Sequence, residues 1–318
     1  MNSQCLICLR STKGQTGYHA ACGKALFGST LVPKITLEDG MVLTAGLAMA
    51  GKTSLSGAQK KISVRVSGDR STLQVATSGG RYILKPPNDV YRNLPEVEHT
   101  TMQLAKVSGI DVAINGLIKL DDGRFAYLTQ RFDRVSDGSK IRQEDFCQLA
   151  MMRPSQKYKG SAELCFRIIK QFASEPGVGV RQLFNQLLFS WWVGNGDLHL
   201  KNLSLLVDAK GIVKLTPAYD LVCTRLVIPD DNDLAMPMCG RNQKIRRATW
   251  LKLADYAGIP RKAAERVMAN QVNALSKSIE TIEHSFIDTN MKSQLKELLV
   301  AQTEILADLG ADDSELPP

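Results

Sequence analysis

The sequence predicts an α+β fold in two lobes, and three observations carry that prediction. Apolar residues alternate with polar ones from Lys60 to about Arg131, whereas beyond Arg134 they recur at the helical period. Strands followed by helices, rather than strands alternating with helices, is the α+β pattern. The chain has 318 residues, 44% of them hydrophobic, which suits about two domains of roughly 100–200 residues each and a substantial core. A disordered or fibrous chain is excluded. The expected division is a small cysteine–histidine segment at 1–30, a strand-rich lobe at 31–133 and a helical lobe at 134–318.

In the first lobe Ile62, Val64 and Val66 alternate, Gly68-Asp69-Arg70 turns the chain, and Leu73 and Val75 alternate again. Gly79-Gly80 turns into Arg81-Tyr82-Ile83-Leu84-Lys85, giving an antiparallel meander. A helix is expected over Pro95–Val107, with proline in its first turn and Ser108-Gly109 ending it. Strands at Val112–Leu120 and Arg124–Arg131 flank the hairpin signal Asp121-Asp122-Gly123. Beyond these, helices are expected near Gln143–Met151, Ala162–Ala173 and Val180–Val193, with two or three more after Ala248. A short hairpin, Leu203–Val207 and Ile212–Leu215, interrupts the helical half.

The net charge is +8, spread in pairs such as Lys60-Lys61 and Arg246-Arg247. A spread excess favours a basic cleft over a disordered arm and is compatible with nucleotide phosphates or nucleic acid. The N-terminus lacks the charged start and apolar core of a secretory signal, and the apolar stretches fall short of the about 20 residues that cross a bilayer. An odd total of seven cysteines argues against a disulfide framework and for a reducing cytoplasm, with no membrane partner. Cys5-x2-Cys8 and His19-x2-Cys22 place paired soft ligands on two short turns, as a structural tetrahedral zinc site requires. Cys147, Cys165, Cys223 and Cys239 stand singly in apolar surroundings and are read as core residues.

The hairpin is the most informative feature, because its strand ends lie side by side. It brings Asp197 and Asn202, which precede it, to Asp220, which follows it. Asp-x4-Asn, a hairpin and a further aspartate is the spacing of phosphoryl transfer: one aspartate accepts the hydroxyl proton, and the asparagine and second aspartate hold magnesium on the nucleotide phosphates. His199 inside that loop is read as fixing it. Upstream, Lys85 ends a strand on the same face as Ile83, placing the lysine for phosphates and Ile83 for adenine. Glu98, in the first turn of the following helix, is placed to hold Lys85. Before the first meander strand lies Ser54-Leu55-Ser56-Gly57-Ala58-Gln59-Lys60-Lys61, whose hydroxyls and N–H groups suit a phosphate cradle. Phosphorylating either serine adds about −1.5 to −2 charges where nucleotide phosphates must lie, repelling them.

These segments, together with Ile83-Leu84-Lys85-Pro86, Gln130-Arg131-Phe132-Asp133-Arg134, Arg142–Gln148, Asn195–Asn202 and Pro217–Leu221, resemble the HipA family of bacterial toxin kinases from Ser54 to the C-terminal helices. The resemblance implies a two-lobed kinase-like fold and a Ser/Thr protein kinase of a toxin–antitoxin module, using ATP and Mg2+. It implies Asp197 as base, Asn202 and Asp220 as metal ligands, and Lys85 as the phosphate-binding lysine. Ser54 and Ser56 are implied as autophosphorylation sites. Gln59, Lys61, Gln130, Arg131 and His199 complete the expected nucleotide contacts. Its targets are aminoacyl-tRNA synthetases, with glutamyl- and tryptophanyl-tRNA synthetase both open. Only about fifty residues precede the core, where full-length members carry roughly a hundred more. The chain therefore resembles the short toxin of three-gene systems. Such systems imply a small antitoxin similar to the missing segment and a helix-turn-helix antitoxin through which DNA is contacted indirectly.

Three rivals remain open on the residues alone. Gly196-Asp197-Leu198-His199 with Asn202 also resembles the catalytic loop of aminoglycoside and choline kinases, although no acidic run offers a pocket for a cationic substrate. Leu253–Pro260 with Ala263, Ala264 and Val267 imitates a helix-turn-helix, but Arg261, Lys262, Glu265 and Arg266 on its second helix fit a solvated face equally well. A pseudokinase is the third, and the presence of all the catalytic side chains speaks against it.

Overall fold

The computed structural model describes residues 4–13, 17–35, 59–135, 138–228, 230–231 and 233–308. Ser54, Ser56, Gly57 and Ala58 lie outside the described residues. The chain opens with a turn closed by the Gln4–Ser11 bridge, followed by helix α1 (Ala20–Phe27), which ends on left-handed Gly28. The meander follows as β1 (Ile62–Val66), β2 (Leu73–Val75) and β3 (Tyr82–Lys85). Helix α2 (Leu94–Val107) then crosses to the hairpin β4 (Asn115–Lys119) and β5 (Phe125–Gln130). The five strands form one antiparallel sheet in the order β2-β1-β3-β5-β4.

The period of two gives this sheet two different faces. Ile62, Val64, Tyr82, Leu84, Ile118, Ala126 and Leu128 share a core with Cys5, Ile7, Leu26 and Phe27 of the N-terminal segment. The seam between them is close. The Leu117 amide donates to the Leu6 carbonyl at 2.8 Å, the Tyr18 hydroxyl to Leu117 O at 2.7 Å, and the Tyr82 hydroxyl to Leu26 O at 3.0 Å. The opposite face carries Ile83 and Lys85, beside their cross-strand partners Thr129 and Tyr127. The strand expected from Val112 begins only at Asn115, because residues 111–113 leave the sheet for the other lobe. There the Ala113 and Ala218 amides donate to Ala218 O at 2.9 Å and Asp111 O at 2.8 Å.

The second lobe corrects one expected helix. Residues 143–145 form strand β6 (Gln143–Asp145), and only Phe146–Leu149 is helical, as the short α3. Asp145 is both the last strand residue, paired with Ser204, and the helix cap, its carboxylate accepting from the Gln148 amide at 2.8 Å. The expected hairpin, β7 (Ser204–Val207) and β8 (Val213–Leu215), is thus part of a three-stranded sheet in the order β6-β7-β8.

Around it lie α4 (Ala162–Phe172) and α5 (Pro176–Trp192). The long α5 starts earlier than its apolar run, with proline in the first turn, and buries Leu183, Phe184, Leu187, Leu188, Phe189, Trp191 and Trp192. A helix apolar on this many sides belongs at the centre of a lobe. Four further helices follow among the described residues: α6 (Arg247–Ala257), α7 (Arg261–Asn273), α8 (Leu275–Glu283) and α9 (Thr289–Ala307). The helix-turn-helix imitation falls on α6 and α7, whose Leu253, Ala254, Ala257, Ala264 and Met268 are buried in the large core. Cys147, Cys165 and Cys223 are buried singly, and Cys239 is half-buried. No helix among the described residues is long and apolar enough to cross a membrane.

Gly116 sits in the seam between β4 and the N-terminal segment, where an added Cβ would stand 2.7 Å from Ile7 Cγ1 and 3.2 Å from Leu26 Cδ2. Gly116→Ala is expected to destabilise the protein by about 1–3 kcal/mol through overpacking, read as a lower urea midpoint.

Candidate active site

Lys85 enters a dry environment because β3 places it beneath α2. Its side chain is 4% exposed and that of Glu98 0%. An isolated charge at either position is prohibitive, so the two must pair. They do, Nζ to Oε1 at 2.5 Å, and the same ammonium also meets Asp220 Oδ1. Lys61 reaches the other Asp220 oxygen at 2.9 Å. Glu98 stands one residue further into α2 than the sequence suggested, since the helix begins at Leu94 rather than Pro95. Gln59 is buried behind it, its amide donating to Glu98 Oε2 at 3.3 Å.

The charges of this cluster are set by competition between burial and pairing. Burial opposes the charged form of Lys85, but Asp220 and Glu98 outweigh it and hold the ammonium above the ordinary lysine value. Burial likewise opposes the Asp220 carboxylate, yet Lys61 and Lys85 hold it well below the carboxylate range. Glu98 is pushed up by burial, with Lys85 opposing.

The loop after α5 supplies the remaining groups. Gly194 turns with φ 71°, and the Asp197 amide donates to Asn195 Oδ1 at 3.1 Å. A 3-10 turn at Leu200–Asn202 then leads into β7. The hairpin brings Asn202 back to Asp220, Nδ2 to Oδ2 at 3.1 Å, while Asn202 Oδ1 accepts from the His199 amide at 3.2 Å. Tyr219 clamps the two strand ends: its hydroxyl donates to Lys201 O at 2.9 Å and meets Ser204 Oγ at 2.6 Å. Asp220 follows in the left-handed region at φ 58°, a conformation that costs about 1–3 kcal/mol and persists because its neighbours over-determine it.

These groups border a cavity of about 210 Å3 between the lobes. Lys61, Ile83, Lys85, Glu98, Gln130, Arg131, His199, Asn202 and Asp220, all expected at the site, line it. Asp197 and Gln59 are not among its lining. Asp197 accepts instead from the Tyr158 hydroxyl at 2.5 Å. Ala113, Thr129, Phe132 and Tyr219 line it too, so apolar and charged side chains share its wall. Arg131 is held by a bidentate pair with Asp133, at 2.8 and 2.7 Å. The sequence reading missed Thr129, Phe132, Tyr219 and Tyr158. Thr129 had a signal in the alternation of β5, whereas Tyr158 sits in a connection with none.

The donor set suits a nucleotide with a hard cation. Asp220 and Asn202 are a carboxylate and an amide, residue types that give Mg2+ oxygen ligands together with phosphates, and holding the ion would turn the Asn202 amide, whose Nδ2 now faces Asp220, to present Oδ1. His199 fits the same reading: burial lowers its pKa to about 4, and neither ring nitrogen has a hydrogen-bond partner among the described residues, so the neutral ring offers unmet polar atoms to the cavity.

A second constellation lies at the N-terminus. Ligand atoms of Cys5, Cys8, His19 and Cys22 all fall within 4.8 Å of one another. His19 directs Nδ1 at the thiols, 3.3 Å from Cys8 Sγ and 3.9 Å from Cys22 Sγ. Its Nε2 lies 3.0 Å from the Ser11 carbonyl, which fixes the tautomer with Nδ1 free to ligate.

The HipA-like C-terminal domain family matches residues 53–279. The chain belongs to that family. Among its relatives, the "Putative kinase Y4dM" of Sinorhizobium fredii is 32% identical over 236 residues, covering 69% of this chain and 56% of the relative. The serine/threonine-protein kinase toxin HipA of Shewanella oneidensis is 28% identical over 205 residues, 58% of this chain and 46% of the toxin. The chain thus spans about half the length of these curated relatives. Two solved structures share the fold. Shewanella oneidensis HipA, solved with HipB and operator DNA, superposes with a TM-score of 0.67 at 23% identity, over 80% of this chain and 65% of that one. The proinflammatory kinase CtkA of Helicobacter pylori gives 0.53 at 16% identity, over 70% and 86%. The two lobes are therefore those of a HipA-like, kinase-like fold.

Lys85→Met leaves Glu98 and Asp220 as adjacent buried carboxylates. The variant is expected to lose about 3–5 kcal/mol of stability at pH 8. It should lose less at pH 5 than at pH 8, because burial pushes Glu98 up and lower pH favours its neutral form, which relieves the repulsion. Denaturant unfolding at the two pH values checks both the size and the sign.

Proposed function

We propose that the protein is an ATP-dependent serine/threonine protein kinase acting as the toxin of a toxin–antitoxin module. The observation that carries this reading is the meeting of the Lys85–Glu98 pair with Asn202 and Asp220 at the wall of one cavity between the lobes. In this reading adenine lies against Ile83 and Lys85 receives the phosphates as they take over its ammonium from Asp220. Asn202 and Asp220 would hold Mg2+, which would neutralise charge on the phosphates. Asp197 takes the proton of the acceptor hydroxyl as it attacks the γ-phosphorus, and ADP leaves. Ser54 and Ser56 belong to the phosphate loop, and phosphorylating them there repels the nucleotide's own phosphates.

The acceptor is proposed to be a cytosolic protein, an aminoacyl-tRNA synthetase, whose modification arrests translation. The proposed partners are a helix-turn-helix antitoxin that contacts DNA and a small antitoxin similar to a HipA N-terminal segment. The Shewanella neighbour's complex with HipB and operator DNA supports the first.

The test is transfer from γ-labelled ATP. Label is expected on protein and to be abolished in Asp197→Ala and Asp220→Ala, with ATP binding retained in the Asp197 variant. Ser54 and Ser56 changed together to alanine should remove label from the kinase itself. Label confined to aminoglycosides or choline overturns the protein-kinase reading, and label persisting on the doubly substituted kinase overturns the regulatory one.

The same reading includes a structural zinc at Cys5, Cys8, His19 and Cys22, supported by His19 presenting Nδ1 to the thiols. Four protein ligands leave no open position for chemistry. Elemental analysis of purified protein is expected to find about one zinc per chain, the number a closed four-ligand site takes, and far less in Cys5→Ala. Equal metal content in both proteins contradicts the assignment.

A further inference from the structure

Asp197 has a partner that lies outside the catalytic-loop pattern. Tyr158, 39 residues upstream, donates its hydroxyl to Asp197 Oδ1 at 2.5 Å. The connection carrying Tyr158, between α3 and α4, is fastened to the catalytic loop at three places. The Leu200 amide donates to Lys157 O at 3.2 Å. Gly160 lies so close that a Cβ would stand 2.7 Å from the Leu200 side chain. The Tyr158 ring meets the His199 ring edge-on, 5.0 Å between centroids. The phenol is thus held against Asp197 by the loop whose carboxylate it touches.

We propose that Tyr158 is a positioning residue for phosphotransfer, its hydroxyl fixing one oxygen of Asp197 so that the other faces the acceptor hydroxyl. The proposal rests on reading Asp197 as the base. A carboxylate turning about its χ angles loses the alignment that proton removal needs, and a donor on one oxygen stops that turning. The same hydrogen bond favours the charged form. Burial pushes Asp197 up, while Tyr158 opposes; Asp220 pushes further up, and Lys157 and Lys61 pull down. His199 is neutral, and the Asp231 carboxylate packs on Gly196. The Tyr158 hydroxyl bonds to the carboxylate itself, so it bears on both orientation and proton affinity.

Tyr158→Phe keeps the ring against His199 and removes only the donor. Two measurements on the full chain judge it, with thermal unfolding confirming that the variant folds. In single-turnover transfer from γ-labelled ATP, the rate is expected to fall about tenfold at pH 7 and the acid limb of the profile to move to higher pH, with ATP affinity within about twofold of wild type. In 13C NMR of aspartate-labelled protein, with Asp197→Asn identifying the resonance, the Asp197 titration is expected to move up by about one pH unit. An unchanged or faster rate overturns the proposal, a faster one marking Tyr158 as a blocker of the acceptor's place. An unmoved Asp197 titration also overturns it, with or without turnover. Asp197→Ala separates the two failures: if that variant transfers phosphate at the wild-type rate, the base assignment falls rather than the contact.

Discussion

The rest of the site depends on one buried charge cluster, Lys85 with Glu98 and Asp220, joined at its edge by Lys61. Two cations and two anions balance there in a setting where an unpaired charge costs several kcal/mol. That balance explains features distributed over the chain. Strand β3 must deliver a lysine to its inner face, α2 must present a glutamate to it, and the hairpin must return an aspartate from the other lobe. The left-handed Asp220 is tolerated because two lysines, Asn202 and the Tyr219 clamp all hold its position. In the proposed function a nucleotide would bring further negative charge, and its phosphates and cation would redistribute these pairs rather than simply add to them.

Much of this was legible in the sequence, and for a physical reason. Period two alone puts Ile83 and Lys85 on one face of β3 and Tyr82 and Leu84 on the other. Hairpin geometry alone brings Asn202 to Asp220 across the intervening turn. The legible residues are those whose neighbours are dictated by regular backbone. What was not legible depends on partners. Gln143–Asp145 has no apolar alternation, and it becomes a strand because β7 offers an edge and Asp145 stops the following helix from extending backwards. Gln59 lies in a loop whose destination, behind Glu98, is set by packing rather than by pattern. Tyr158 reaches Asp197 through a connection with no periodicity at all.

The two faces of the five-stranded sheet divide the work of the smaller lobe. One face carries the charges and borders the cavity, while its Tyr127 joins the large core with Leu94, Val97 and Met102 of α2. The other shares a core with the N-terminal segment, where the cysteine–histidine turns bring Cys5 and Ile7, and α1 brings Leu26 and Phe27. Hydrogen bonds from β4 and from Tyr18 and Tyr82 make that contact specific rather than merely greasy. The segment that carries the metal-ligand pattern is therefore part of the lobe that holds Lys85, and its order and the order of β3 are linked through one core.

In the proposed function the Lys85–Asp220 contact opens to admit nucleotide phosphates. A crystal structure of the protein with a non-hydrolysable ATP analogue and Mn2+, located by its anomalous signal, tests this most directly. The account predicts the metal on Asn202 and Asp220, the Lys85 ammonium moved from Asp220 to the phosphates while still paired with Glu98, and adenine against Ile83. Nucleotide bound elsewhere, or bound in the cavity with Lys85 still on Asp220 and no metal beside Asn202, would contradict it.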